Sequence, residues 1–285
     1  MSYNIIMEKK VRVGLALGSG GLCGVAHVGF LQVLEENGIK VDMVSGISMG
    51  AIVGGLYASG VSPKELEEIA LKIEKKDILG LNAFKVLKES VFTGKKIENF
   101  LNKLVKVKNI EDADIQFYAQ AVDLMNGTMH TFDKGSIVDA MRASSAIPGL
   151  LSPVYLNDTC YIDGGSIDTV PFKILKDKGA DVVIAVNCLN NYKLDKKPKG
   201  SLSTFLHSYD VLAEQLWKLN KRLYKDYYDV YCFDNTEGVN PISIDIENIK
   251  KLLESGRQSA YKYLDKIKQI IQKKQNNLEN SLDLS

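Results

Sequence analysis

The chain has 285 residues, 45% hydrophobic and 25% charged, the balance of an ordinary globular protein able to bury a core. Its 36 Lys and Arg against 35 Asp and Glu leave a net charge of +1, so no basic excess argues for a nucleic-acid partner. Four separated cysteines without a C-x-x-C pair argue against structural zinc and for reduced thiols in a cytoplasmic protein, and no apolar run reaches the roughly 18 to 20 residues of a membrane span.

Met1 to Lys10 carries only Ile5-Ile6-Met7, too short for the apolar core of a secretion signal, and is read as an N-terminal extension. Val11 to Leu17 predicts a strand running into Gly18-Ser19-Gly20-Gly21-Leu22-Cys23-Gly24. A helix follows over Val25 to Asn37, closed by Gly38 as a left-handed C-terminal glycine. Val41 to Ser45 predicts the second strand, and Gly46-Ile47-Ser48-Met49-Gly50 turns it into the apolar helix that begins at Ala51. Strand, sharp turn and helix around G-x-S-x-G is the setting in which a serine becomes a nucleophile. Short apolar strands alternating with helices predict an α/β fold with a parallel sheet covered on both faces.

Ser62-Pro63 opens another helix, with Glu65 placed for a capping box. Ile78 to Phe92 is apolar without clear periodicity. Asn126-Gly127 predicts a hairpin joining Ile115–Leu124 to Thr128–Phe132. Ser136 starts a helix ending before Pro148, Val154 to Ile162 reads as one strand, Phe172 to Lys178 as a helix and Asp181 to Leu189 as a buried strand. Asn190 to Gly200 reads as a surface loop. Leu202 to Tyr227 and Ile249 to Lys274 are long helices flanking a strand at Tyr228 to Phe233, and Gln275 to Ser285 reads as a frayed tail. The lysine-rich face of the last helix is read as solvated, its apolar stripe as packed on the domain.

To attack an ester, a serine hydroxyl needs a base, an oxyanion hole and a place for the acyl chain. The backbone N–H groups of Gly20, Gly21 and Leu22, at the start of the first helix, can face a developing oxyanion. In a parallel sheet this loop and Ser48 gather at one carboxyl edge. The base is open: His27, His130 and His207 are candidates, of which only His207 fits the Ser…Asp…His order of ordinary α/β hydrolases. Asp163-Gly164-Gly165, ending a strand, reads alone as a tight turn.

Taken together, four segments resemble the patatin-like phospholipases, in the order and spacing of their bacterial single-domain members. They are the Gly18–Gly24 loop with His27 and Gly29, Gly46-x-Ser48-x-Gly50, Ala143-Ser144-Ser145-Ala146-Ile147-Pro148, and Asp163-Gly164-Gly165. The resemblance spans about Val11 to Ala185. It implies a three-layer α/β/α fold with a mainly parallel central sheet, one domain over residues 11–275 with its motif core at 11–188, and a helical part at 202–275. It implies a catalytic dyad in which Ser48 is the nucleophile and Asp163 the base, with Gly20, Gly21 and Leu22 as the oxyanion hole. Gly18, Cys23, Gly24, Gly46, Gly50, Gly164 and Gly165 shape the motifs. The substrate class it implies is lipid or other acyl esters, with no cofactor and no metal, and a transient membrane-surface contact stays open. An aspartate with an ordinary pKa near 3.9 is a weak base for a hydroxyl, so the crevice must exclude water. Ile147, Leu150, Leu151 and the Ile78–Phe92 segment are candidates for its lining or lid. The family usually carries a basic residue where this chain has Cys23, and Arg142 is the candidate to compensate.

Two further readings remain. A Rossmann-type nucleotide site fails at the third glycine position, occupied by Cys23, and at the end of the second strand, which lacks an acidic residue. A non-enzymatic regulator that kept the fold is supported by Cys23 alone.

Overall fold

A computed structural model describes residues 10–73, 94–189, 197–233 and 244–282. The Ile78–Phe92 segment, most of the N-terminal extension and the first part of the Asn190–Gly200 loop lie outside the described residues. In chain order the elements are β1 (Val13–Leu17), α1 (Ala26–Glu36), β2 (Met43–Gly46), α2 (Met49–Ala58), α3 (Pro63–Lys72), α4 (Lys95–Leu104), β3 (Gln116–Asp123) and β4 (Thr128–Phe132). Then come α5 (Ile137–Ser144), β5 (Val154–Leu156), β6 (Thr159–Asp163), α6 (Phe172–Asp177), β7 (Val182–Asn187), α7 (Ser201–Leu223), β8 (Val230–Phe233) and α8 (Ile246–Leu282).

The strands form one mixed sheet in the order β5-β6-β3-β2-β1-β7-β8, with β4 beside β3. The pairs β3-β2, β2-β1, β1-β7 and β7-β8 are parallel. The pairs involving β4, β5 and β6 are antiparallel, so the sheet is parallel only in its centre and at the β8 edge. Period-two alternation builds the layers. Leu15, Leu17, Val44, Phe117, Ala119, Ile184 and Val186 face one core, packed by α1, α2, α3, α5 and α8. Ala16, Met43, Tyr118, Val183 and Ala185 face the other, packed by α6.

Several expected boundaries change. Val154–Ile162 is a hairpin, turned at Asn157 and Asp158, which adopt φ of 47° and 63°. Asn and Asp are the non-glycine residues that tolerate this conformation. The supposed frayed tail is helical through Leu282, with Leu278 packed against the core. The helix capping at Ser62, Pro63 and Glu65 has the expected form: Ser62 Oγ accepts from Glu65 N and the Glu65 carboxylate accepts from Ser62 N at 2.8 Å.

α1 is buried along nearly its whole length because α8 crosses it. Two glycines permit the approach. A Cβ on Gly29 would overlap the Leu253 carbonyl oxygen, and one on Gly256 the Ala26 carbonyl oxygen. Arg257 fastens the crossing through Glu67 at 2.7 Å and Gln32 at 3.0 Å. Backbone cannot yield as a side chain can, so Gly256→Val is expected to lower stability by about 3 kcal/mol. Urea denaturation followed by circular dichroism checks this, and an unchanged midpoint would contradict the close crossing.

Candidate active site

Strand register sets the site. Leu17 of β1 pairs with Gly46 of β2, and Gly46 with Ala119 of β3. β6 runs back along β3 and pairs its last residue, Asp163, with Ala121. Asp163 therefore ends two residues beyond the level of Gly46, at the height that Ser48 reaches. The glycine loop leaves β1 at the same edge.

The nucleophile turn is dictated by close contacts. A Cβ on Gly46 would lie 2.5 Å from Gly50 O and from the Ala51 backbone, and one on Gly50 would overlap the Leu17 carbonyl oxygen. Between them Ser48 is forced to φ 56° and ψ −121°, a conformation that costs a non-glycine residue on the order of 1–3 kcal/mol. Ser48 is 4% exposed and is the N-cap of α2. Its N–H donates to Ser144 Oγ at 2.9 Å, and the Ser144 hydroxyl donates to Gln120 O at 2.7 Å. Ser144 thus ties the turn to β3. It belongs to the Ala143–Pro148 motif, but its bracing role had no signal in the sequence.

Asp163 is 2% exposed. Burial pushes its carboxyl up to about 6, opposed by hydrogen bonds from the Ser48 hydroxyl and the Gly165 N–H. The Gly165 N–H donates to Asp163 Oδ1 at 2.7 Å. Gly164 must lack a Cβ because one would stand 2.5 Å from Gln120 O. The expected pair of Ser48 and Asp163 is therefore brought together, in a setting that raises carboxylate basicity.

Gly21–Val25 form one short 3-10 helix. Among the described residues, the N–H groups of Gly20, Gly21 and Leu22 have no hydrogen-bond acceptor. Gly20 is packed against Cys188, where a Cβ would lie 3.0 Å from the cysteine Cβ, and Gly24 against Met49. Gly18 N donates to Val186 O at 2.9 Å and Ser19 N to Thr169 O at 2.8 Å, anchoring the loop to β7 and to the segment after Asp163.

His27 is fully buried, and desolvation lowers its pKa to about 4. Its Nε2 lies 2.8 Å from Gly18 O, so the neutral ring donates to and steadies the glycine loop. His130 in β4 packs edge-on against Phe132 and tilted against Tyr161, and His207 lies 3.7 Å from Asp210 within α7. No histidine is placed on the Ser48 hydroxyl among the described residues. Cys23 is half-buried, and its N–H donates to Gly20 O at 3.0 Å. Arg142, the candidate to compensate, is buried beside Ser145 and the backbone of Gly94, at the end of α5.

An apolar groove beside Gly165 and Ser166 is walled by Pro148, Phe205, Tyr209, Leu212 and Leu216. Ile147, Leu150 and Leu151 are not among its walls. The contribution of α7 was not legible, because an amphipathic helix does not announce which distant turn it will cover.

With this geometry in place, similarity to known proteins defines the class. Residues 15–176 match the family described as Patatin-like phospholipase, more than half of the chain, and the chain belongs to that family. An uncharacterized NTE family protein of Mycobacterium bovis is 36% identical over 176 residues, covering 62% of this chain and 49% of that protein. Lysophospholipase NTE1 of Candida albicans is 34% identical over 181 residues, covering 61% of this chain and 13% of that protein. The chain thus spans half or less of the length of these relatives. Among solved structures, VipD from Legionella pneumophila superposes with a TM-score of 0.53 at 14% identity, covering 90% of this chain and 67% of that one, a likeness of fold.

Proposed function

We propose that this chain is a serine acyl hydrolase acting on carboxylic esters of phospholipids, lysophospholipids or related lipids. The observation that carries the reading is a buried carboxylate, Asp163, with its pKa lifted to about 6 and the Ser48 hydroxyl as its partner. At pH 7 roughly nine in ten such groups are ionised and yet far more basic than an exposed aspartate. Ser48 Oγ bonds to the ester carbonyl carbon while its proton passes to Asp163. The carbonyl oxygen takes up negative charge facing the Gly20, Gly21 and Leu22 N–H groups. Collapse breaks the bond to the alcohol, which leaves with the proton from Asp163. Water then attacks the acyl-enzyme, Asp163 takes its proton, and the fatty acid is released with Ser48 restored. No cofactor enters this scheme. Long-chain esters reside in lipid aggregates, so a transient contact with a lipid surface goes with it; no helix among the described residues is long and apolar enough to cross a membrane.

Fatty-acid release from a lysophospholipid and from p-nitrophenyl butyrate tests the reading. Wild-type protein is expected to turn over, with Ser48→Ala reduced by at least about 10³-fold. Activity retained in Ser48→Ala, or lost in His207→Ala, would overturn the dyad. A folded protein inert on every ester would favour the non-enzymatic reading that Cys23 suggests.

A further inference from the structure

α7 meets the candidate site through one stripe. Phe205, Tyr209, Leu212 and Leu216 follow the i, i+4, i+7, i+11 spacing of a single helix face. They form one wall of the groove whose other wall is Pro148, Gly165 and Ser166. The helix is pinned from another side: Asn220 Nδ2 donates to Asp168 Oδ1 at 2.9 Å, and the buried Trp217 packs on Phe233 with ring centroids 5.1 Å apart. The groove is therefore held open between fixed elements.

Its inner end lies beside the Asp163 carboxylate. A Cβ placed on Gly165 would stand 2.9 Å from the Tyr209 hydroxyl and 3.0 Å from Asp163 Oδ1, so one point touches both. The Tyr209 hydroxyl is 3.4 Å from Ser166 Oγ. Outward from Tyr209 the helix wall is leucine, and Leu212 remains 62% exposed. None of the seven residues lining the groove carries a charge. From Tyr209 outward to Leu216 the wall spans about 10 Å at the helical rise, room for a medium-length fatty chain and far longer than acetate needs.

We propose that this groove holds the acyl chain of the substrate, with Tyr209 at its carbonyl end and Leu212 and Leu216 along its length, so that α7 sets chain-length selectivity. The proposal rests on the hydrolase reading above. An uncharged apolar slot suits a hydrocarbon chain and would leave a phosphate head group without a partner. Chain burial makes each added methylene worth up to about fourfold in kcat/KM until the groove is full.

The test is a series of p-nitrophenyl esters from butyrate to palmitate. For the wild type, kcat/KM is expected to climb with chain length. Leu212→Trp and Leu216→Trp each fill the slot and are expected to lower the dodecanoate-to-butyrate ratio at least tenfold. Leu223→Trp, on the exposed end of α7 and outside the groove, is expected to keep the wild-type ratio; thermal melts confirm that each variant is folded. An unchanged ratio in both groove variants would overturn the proposal while leaving the hydrolase reading intact. A changed preference between choline and ethanolamine lysophospholipids, at constant chain-length ratio, would overturn it in favour of a head-group site. Wild-type protein that neither cleaves butyrate nor reacts with a short fluorophosphonate would remove the hydrolase reading and the proposal with it.

Discussion

Asp163→Asn is expected to abolish turnover and, at neutral pH, to stabilise the protein. The two effects share one cause. The carboxyl is fully buried and its pKa stands at about 6 instead of the ordinary 3.8. Two units correspond to about 3 kcal/mol, the cost of holding the charge in the folded protein above pH 6. The sign follows from proton counting. Between about pH 4 and pH 6 the folded state keeps a proton that the unfolded state has released. Stability from this group is therefore full below pH 4 and lost as pH rises through 6. Asparagine carries no charge, and its side-chain oxygen can still accept from Gly165 N. The variant should gain on the order of 2–3 kcal/mol at pH 7.5 and almost nothing at pH 4. Without the base, kcat/KM should fall about 10³-fold, and the wild-type profile should lose tenfold per unit below about pH 6.

His27 supplies a second handle on the same profile. Its folded pKa of about 4 lies below the ordinary 6.5, so the unfolded chain takes up the proton first. Stability from His27 is lost as pH falls from about 6.5 to about 4, opposite in sign to Asp163 over nearly the same window. Removing the aspartate should unmask it, giving Asp163→Asn a steeper acid decline than the wild type. Urea midpoints at pH 4.5, 5.5, 6.5 and 7.5 check both slopes. Equal stability of variant and wild type at pH 7.5 would contradict the buried charge.

The second large effect is expected at the nucleophile. Ser48→Gly and Ser48→Ala should both eliminate turnover but differ in stability. Ser48 holds φ 56° and ψ −121°, strained for any residue with a Cβ. Glycine relieves the strain but adds about 0.4–1 kcal/mol of unfolded-state entropy, leaving a net gain of about 1 kcal/mol. Alanine keeps the strain and should stay near the wild type. The backbone hydrogen bond from Ser48 N to Ser144 survives in both. Equal urea midpoints for the two variants would mean that the turn stores no strain.

How much of this was legible follows from what fixes each part. The G-x-S-x-G turn was readable as a local pattern of strand, turn and helix, and Gly46 answers to Gly50 and Ala51 a few residues away, although Gly50 answers to the distant Leu17. The glycine loop was readable from its run of glycines between a strand and a helix, although Gly18 and Gly20 answer to Thr169, Val186 and Cys188 far along the chain. Asp163 needed the other motifs, since its position depends on β6 pairing backwards along β3, a long-range register with no local signature. The Val154–Ile162 stretch was misjudged because its turn uses Asn157 and Asp158 without glycine. Tyr209 and the α7 wall were invisible because an ordinary amphipathic helix can cover any neighbour.

One adduct tests the Ser48–Asp163 dyad most directly. Wild-type protein treated with a short-chain fluorophosphonate, then digested and mapped by mass spectrometry, should carry the label on Ser48 alone, with labelling in Asp163→Asn slowed by orders of magnitude. A label on another residue, or equal labelling of Ser48 in the two proteins, would contradict the dyad.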